Sequence, residues 1–180
     1  METSNSYAST IPPISRLRAF HGIVLALVSA FTAEIVLGAL QPDSGPQFAT
    51  AGRIALTFLS IYTLHRFALT SLSDYTPRFR DLLCLLSILI GSLALVWIGR
   101  ILSRGLAQYL TSSNISILLG PDTFEFAIPY ASGALLLQAV LGLHYGLFYA
   151  ISLSLIMGVY TPSLLPEVPY VLSTSLMACL

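Results

Sequence analysis

Long apolar runs alternate along this chain with short polar ones. The apolar stretches cover residues 20–40, 48–69, 82–103, 126–143 and 145–160, and a last one opens at Val168. Between them lie QPDSGPQ (41–47), TSLSDYTPRFRD (70–81), a long connector over 105–125 and TPSLLPEVP (161–169). These connectors are rich in the Gly, Pro, Ser and Asp that make turns. An apolar run of about 20 residues is what a helix needs to cross a bilayer, and lipid tolerates only backbone that satisfies its own hydrogen bonds. From Phe126 to Pro166 there is no Asp, Glu, Lys or Arg. As one straight helix that run would measure roughly 60 Å, against a hydrocarbon core of about 30 Å. It is therefore expected to fold once, at Gly142-Leu143-His144-Tyr145-Gly146, into two spans in a tight hairpin. The pattern predicts an all-α, polytopic helical membrane protein. It would have five complete spans (about 20–40, 48–69, 82–103, 126–143 and 145–160) and a partial sixth (168–180).

The ends of the chain read differently. Residues 1–19 are polar and Ser/Thr-rich, with Pro12-Pro13 and then Arg16 and Arg18, and are expected to form a disordered cytoplasmic tail. Residues 20–180 form a single helical transmembrane domain. A basic segment before an apolar run also suits a signal peptide. The run is longer than the usual about 7–15 residues, however, and no clear small-residue cleavage site follows, so an uncleaved first span is expected. The last apolar segment is too short to span, and a carboxylate at that depth is costly. A longer protein is expected to continue past Leu180.

Composition supports the class. Hydrophobic residues make up 56% of the chain and charged residues only 9%, where a soluble domain carries about 25% charged residues. The basic residues are all Arg and balance the acids, so nothing points to a nucleic-acid partner. Cys84 and Cys179 fall inside apolar runs and read as inert packing residues, neither a disulfide framework nor metal ligands. Asn114-Ile115-Ser116 matches a glycosylation sequon, a match common by chance. With the amino terminus inside, Arg16, Arg18, Arg66, Arg78 and Arg80 lie on the cytoplasmic side and Arg53, Arg100 and Arg104 outside. That bias favours N-inside and an integral protein of a bacterial inner (plasma) membrane.

Four intramembrane polar residues are candidates for function. Glu34 lies deep in the first span, where an ionisable residue is a functional hypothesis by default. The plainer reading hydrates it near the outer interface or pairs it with Arg53. Gln138 sits mid-span in the fourth helix, suited to hydrogen bonding between helices. His144 lies at the hairpin turn, either as a hydrated polar residue or as a pH sensor. His65 beside Arg66 reads as interfacial. The glycines Gly133, Gly142, Gly146 and Gly158 suggest close helix contacts. No phosphate-binding loop, nucleophile elbow or HExxH motif is present, and the scattered histidines make no metal site. No catalytic residue, cofactor or metal is assigned. The expected partners are the lipid bilayer, other membrane subunits or a second copy of the chain.

Two stretches carry a family resemblance. One is Tyr62-Thr63-Leu64-His65-Arg66-Phe67 through Pro77-Arg78-Phe79-Arg80-Asp81-Leu82-Leu83. The other is Ile128-Pro129-Tyr130-Ala131-Ser132-Gly133-Ala134-Leu135-Leu136 with the apolar hairpin after it. Together they resemble the membrane region of seven-transmembrane HD-domain phosphohydrolases, receptors whose cytoplasmic HD domain hydrolyses cyclic di-AMP in characterised relatives. The large extracellular domain of that family is replaced here by residues 41–47. His21, His65 and His144 are followed by Gly, Arg and Tyr, so no HD pair exists. The resemblance implies a sensor or anchor module truncated before any catalytic domain, not an enzyme in itself. The rival expectations are a substrate-binding membrane subunit of a vitamin-type importer, with Glu34, Arg53 and Gln138 on a common cavity, and a cell-envelope scaffold protein.

Overall fold

A computed structural model of the chain describes residues 13–38, 47–71, 77–112, 124–161 and 167–179. Among the described residues it is all-helical, with no strand. The principal helices are α1 (Pro13–Leu37), α2 (Gln47–Ser71), α3 (Phe79–Ser112), α4 (Ser132–Leu141), α5 (Leu143–Tyr160) and α6 (Glu167–Cys179). Three of the described helices are long and apolar enough to cross a membrane, over Phe20–Leu37, Phe79–Ser112 and Leu143–Tyr160. Helix α2 has 25 residues, but Arg53, His65, Arg66 and several Thr and Ser dilute its apolar character. Ser132–Leu141 and Val168–Cys179 are apolar but short.

The boundaries correct the expected spans in four places. Helix α1 begins at Pro13, inside the stretch expected to be a disordered tail. Proline suits the first helical position because its missing N–H would have no partner there. Residues 1–12 of that tail lie outside the described residues. Helix α3 starts after Pro77, with the Arg78 N–H donating to the Asp81 carboxylate at 3.0 Å, a capping contact that fixes its entry. It then runs 34 residues to Ser112, past its expected end at Ser103 and into the expected loop. An isolated glycine such as Gly105 costs a helix only about 1 kcal/mol and does not stop it. The expected fourth span over 126–143 becomes a ten-residue helix, α4, preceded by irregular backbone at 126–131. Pro129 supplies no N–H and restricts Ile128, so helix cannot form through that point. The hairpin turn is Gly142 alone, at φ 100° and ψ 173°, and Gly146 lies within α5. The sequon and the connectors at 41–46 and 162–166 lie outside the described residues.

Packing makes an up-and-down bundle. Near one end of the α1–α2 pair a methyl group on Gly22 would sit 2.3 Å from His65 Cδ2. At the other end Glu34 meets Arg53, so the two helices are antiparallel. His21 packs its ring on Phe79, 5.5 Å between centroids, at the starts of α1 and α3, so these two run parallel. Helix α4 folds back on α5, where Gly146 lies under Gln138 and the Ala134 carbonyl. Helix α6 packs against both α4 and α5, tied to α5 by the Ser154 hydroxyl donating to the Val168 carbonyl at 3.2 Å. Helix α5 is the centre: 61% of it is buried, against 28% of the apolar 18-residue stretch of α3.

Large apolar side chains lie on the outside of the bundle as well as in its core. Helix α1 buries Leu25 and Leu37 together with Gly22, Ala26, Ser29, Ala30 and Ala33, and turns Phe20, Ile23, Leu27, Phe31 and Ile35 outward. So many large apolar groups on the outside is an arrangement that lipid stabilises and water does not.

Candidate functional site

The end of α1, the start of α2 and the end of α5 bring together Glu34, Arg53 and Tyr160. Arg53 Nη2 donates to Glu34 Oε1 at 2.8 Å and Arg53 Nε to Glu34 Oε2 at 3.3 Å. Two parallel N–H···O bonds are the strong geometry for a guanidinium on a carboxylate. The Tyr160 hydroxyl donates to the same Glu34 Oε2 at 2.8 Å. The Arg53 guanidinium also donates to Thr50 Oγ1 at 3.2 Å and lies 5.9 Å from the centroid of the Tyr160 ring. The side chains of Arg53 and Glu34 are 18% and 15% exposed, so the pair is shielded but not sealed.

Local structure places each group. Glu34 sits one turn before Gly38, and a methyl group there would lie 2.7 Å from Glu34 Oε1. The carboxylate therefore lies folded over bare backbone. Arg53 sits two turns into α2, with its stem along the helix and its head toward α1. Tyr160 is the last residue of α5 and is buried. Three helices are thus joined through one carboxylate.

Two more polar contacts went unread in the sequence. Arg100, counted on the outer side in the sequence, is buried in α3 and pairs with the buried Glu125, Nε to Oε2 at 3.4 Å. A buried charge needs such a partner, but residues 25 apart across an irregular segment give no sequence signal of contact. At the opposite end of the bundle the buried Tyr145 lies close to the Asp81 carboxylate. His65 corrects the interfacial expectation: it is buried, edge-on to Phe148 at 6.2 Å, while Arg66 is exposed.

The other candidates stand apart from the cluster. Gln138 donates from Nε2 to the Cys179 carbonyl at 3.0 Å, joining α4 to α6. His144 is half-buried at the second position of α5. Glu34 and Arg53 meet, but Gln138 does not join them. Among the described residues no three His, Cys, Asp or Glu side chains gather as metal ligands. A groove of about 470 Å³ between α3 and residues 124–129 is lined by Leu95, Ile98, Leu102, Phe124 and Ile128 among others, almost wholly apolar. No protein-family model matches the chain, and neither a curated protein nor a solved structure shows significant similarity to it.

Proposed function

We propose that the chain is an integral membrane module that crosses the bilayer five times, with a partial sixth segment and its amino terminus inside, and that it passes a change of state from its outer face to its cytoplasmic face. Asp81 and Arg100 are 19 residues apart on α3, about 28 Å along the axis, which matches the hydrocarbon core. Glu125 lies beside Arg100 and Tyr145 beside Asp81. The segment from Glu125 to Tyr145 therefore covers the same depth as a spanning helix, although α4 itself has only ten residues. Its irregular backbone is tolerable because it lies against α3 and α6, where Tyr170 donates to the Phe126 carbonyl at 2.8 Å.

The observation that carries the functional reading is the carboxylate of Glu34, bound at once by Arg53 and Tyr160. It fastens the α1–α2 hairpin to the outer end of α5. The inner end of α5 places Tyr145 beside Asp81 of α3. Helix α5 is thus a rod between two polar latches, and a ligand or bilayer change that opens the first shifts the second. This is the role implied by the likeness of residues 62–83 and 128–136 to HD-type receptors, with the catalytic output supplied elsewhere.

Three measurements test it. Alkaline-carbonate extraction should leave the chain in the membrane. In a background lacking native cysteines, Ser112→Cys should react with an impermeant maleimide from outside and Arg80→Cys should not; the reverse pattern overturns the orientation. For the function, hydrogen exchange on Tyr160→Phe should quicken at residues 78–84 as well as at 30–58. Exchange that changes only near Glu34 overturns transmission.

A further inference from the structure

A hydroxyl inside a helix has a partner at hand, the carbonyl one turn back. Thr63 donates to Leu59, Ser92 to Ile88, Ser103 to Gly99 and Ser152 to Phe148 in this way, each at 2.8 Å. Ser29 of α1 and Thr57 of α2 do not. These residues are 0% and 1% exposed, and neither side-chain oxygen makes a hydrogen bond of ordinary geometry within the chain. A buried hydroxyl turned away from its own carbonyl and left dry is costly, and native structures seldom carry one without a bound water.

The two hydroxyls lie at one level. Gly22 meets His65 and Glu34 meets Arg53, which fixes the register of the antiparallel pair. Both contacts set Ser29 level with residue 58, one step, about 1.5 Å, from Thr57. Thr57 also stands beside Tyr160 of α5. The Tyr160 hydroxyl gives its proton to Glu34 Oε2, so toward Thr57 it can only accept. Thr57 lies about 6 Å inward of Arg53 along α2, and Ser29 about 8 Å inward of Glu34 along α1. The hydroxyls therefore continue the Glu34 cluster into the bundle. Ser175 of α6 is also buried and unbonded, but α6 contributes no residue to that cluster.

The geometry points to an internal water-binding site between α1, α2 and α5, with Ser29 Oγ, Thr57 Oγ1 and Tyr160 Oη as its polar partners. A buried water makes about three such bonds. The Ser and Thr hydroxyls both donate and accept, and the phenol accepts, so each role of the water is met. A neutral ligand suits the site because Arg53 already balances the charge of Glu34. A small one suits it because Ala26, Ala30 and Ala33 of α1 are fully buried around Ser29. Water here hydrates the inner side of the Glu34 carboxylate. When Arg53 parts from Glu34, the freed charge then meets water and not hydrocarbon, so occupancy of the site regulates the ease of opening. The site itself rests on the packing of the three helices and not on transmission along α5.

The test uses the full chain in detergent micelles. In the 15N-labelled protein, water cross-peaks should appear at the amides of Ser29 and Thr57 and not at Ala26 or Ile61, about one turn deeper. Ser29→Ala and Thr57→Val keep the packing and each remove a bond to the water. Each should lower the folded-to-unfolded ratio about fivefold. The double variant should lose clearly less than the product of the two, because both lose the same water. A ratio that rises with Ser29→Ala marks a dry hydroxyl and overturns the site. Losses that multiply in full overturn it as well, and so does the absence of the cross-peaks. If a variant does not fold, the cross-peaks of the unsubstituted chain decide. Hydrogen exchange at residues 78–84 in Tyr160→Phe judges transmission separately, and its failure leaves the site standing.

Discussion

At the scale of single residues, the Glu34 carboxylate holds the most consequential set of bonds. Glu34→Gln keeps the shape and removes the charge, leaving Arg53 half-shielded without its counter-ion. Complete burial would make that loss about 3–5 kcal/mol; with 15–18% of each side chain exposed, about 2 kcal/mol is expected. The check is thermal unfolding in detergent, with Arg53→Gln added to close a double-mutant cycle. The double variant should recover part of the loss; additive losses would mean the two groups do not interact. Gly38→Ala gives an independent handle. Its methyl group lies 2.7 Å from Glu34 Oε1, so it should destabilise the native chain by about 1–2 kcal/mol. In a Glu34→Ala background the carboxylate is gone, and the same substitution should become neutral or mildly stabilising. The pairing of Glu34 with Arg53 was legible in the sequence because both lie close to one short connector. Tyr160 was not, because it lies 126 residues from Glu34 and a tyrosine ending an apolar helix carries no mark of its partner.

At the scale of elements, the α4–α5 hairpin turns on Gly142, whose φ of 100° and ψ of 173° belong to a region open almost only to glycine. Gly142→Ala should cost about 1–3 kcal/mol although its methyl group meets no atom. A loss of that size in unfolding assays assigns the cost to backbone strain; no loss would mean that the turn relaxes. Gly133→Ala tests contact instead of strain. Its methyl group would lie 2.2 Å from Tyr149 Oη and 2.8 Å from Ser92 Oγ. It should destabilise by about 1–3 kcal/mol, and Tyr149→Phe should rescue part of that by removing the hydroxyl. Failure of the rescue would place the crowding on Ser92 or on the backbone. The hairpin itself was visible in the uncharged run. Its unequal arms were not, because apolarity says how deep a segment lies and not whether it is helical. Pro129 held that information, and it was outweighed by the hydropathy around it. The extension of α3 to Ser112 was hidden for the converse reason: Gly105 and the polar residues after it resemble a loop, yet none of them forbids a helix.

At the scale of the whole molecule, the case for a membrane rests on where large apolar side chains point, and the chain carries its own probe of that. Trp97 is the single tryptophan. It lies on α3, more than a third exposed, three residues before the buried Arg100–Glu125 pair. If that pair lies near the outer edge of the hydrocarbon, the indole sits about 4–5 Å deeper, facing acyl chains. In liposomes its emission should be blue-shifted, little quenched by acrylamide and strongly quenched by lipids brominated near the headgroup end of the chain. A red-shifted, acrylamide-accessible tryptophan would place α3 in water and remove the physical basis for its exposed Leu95, Ile98 and Leu102.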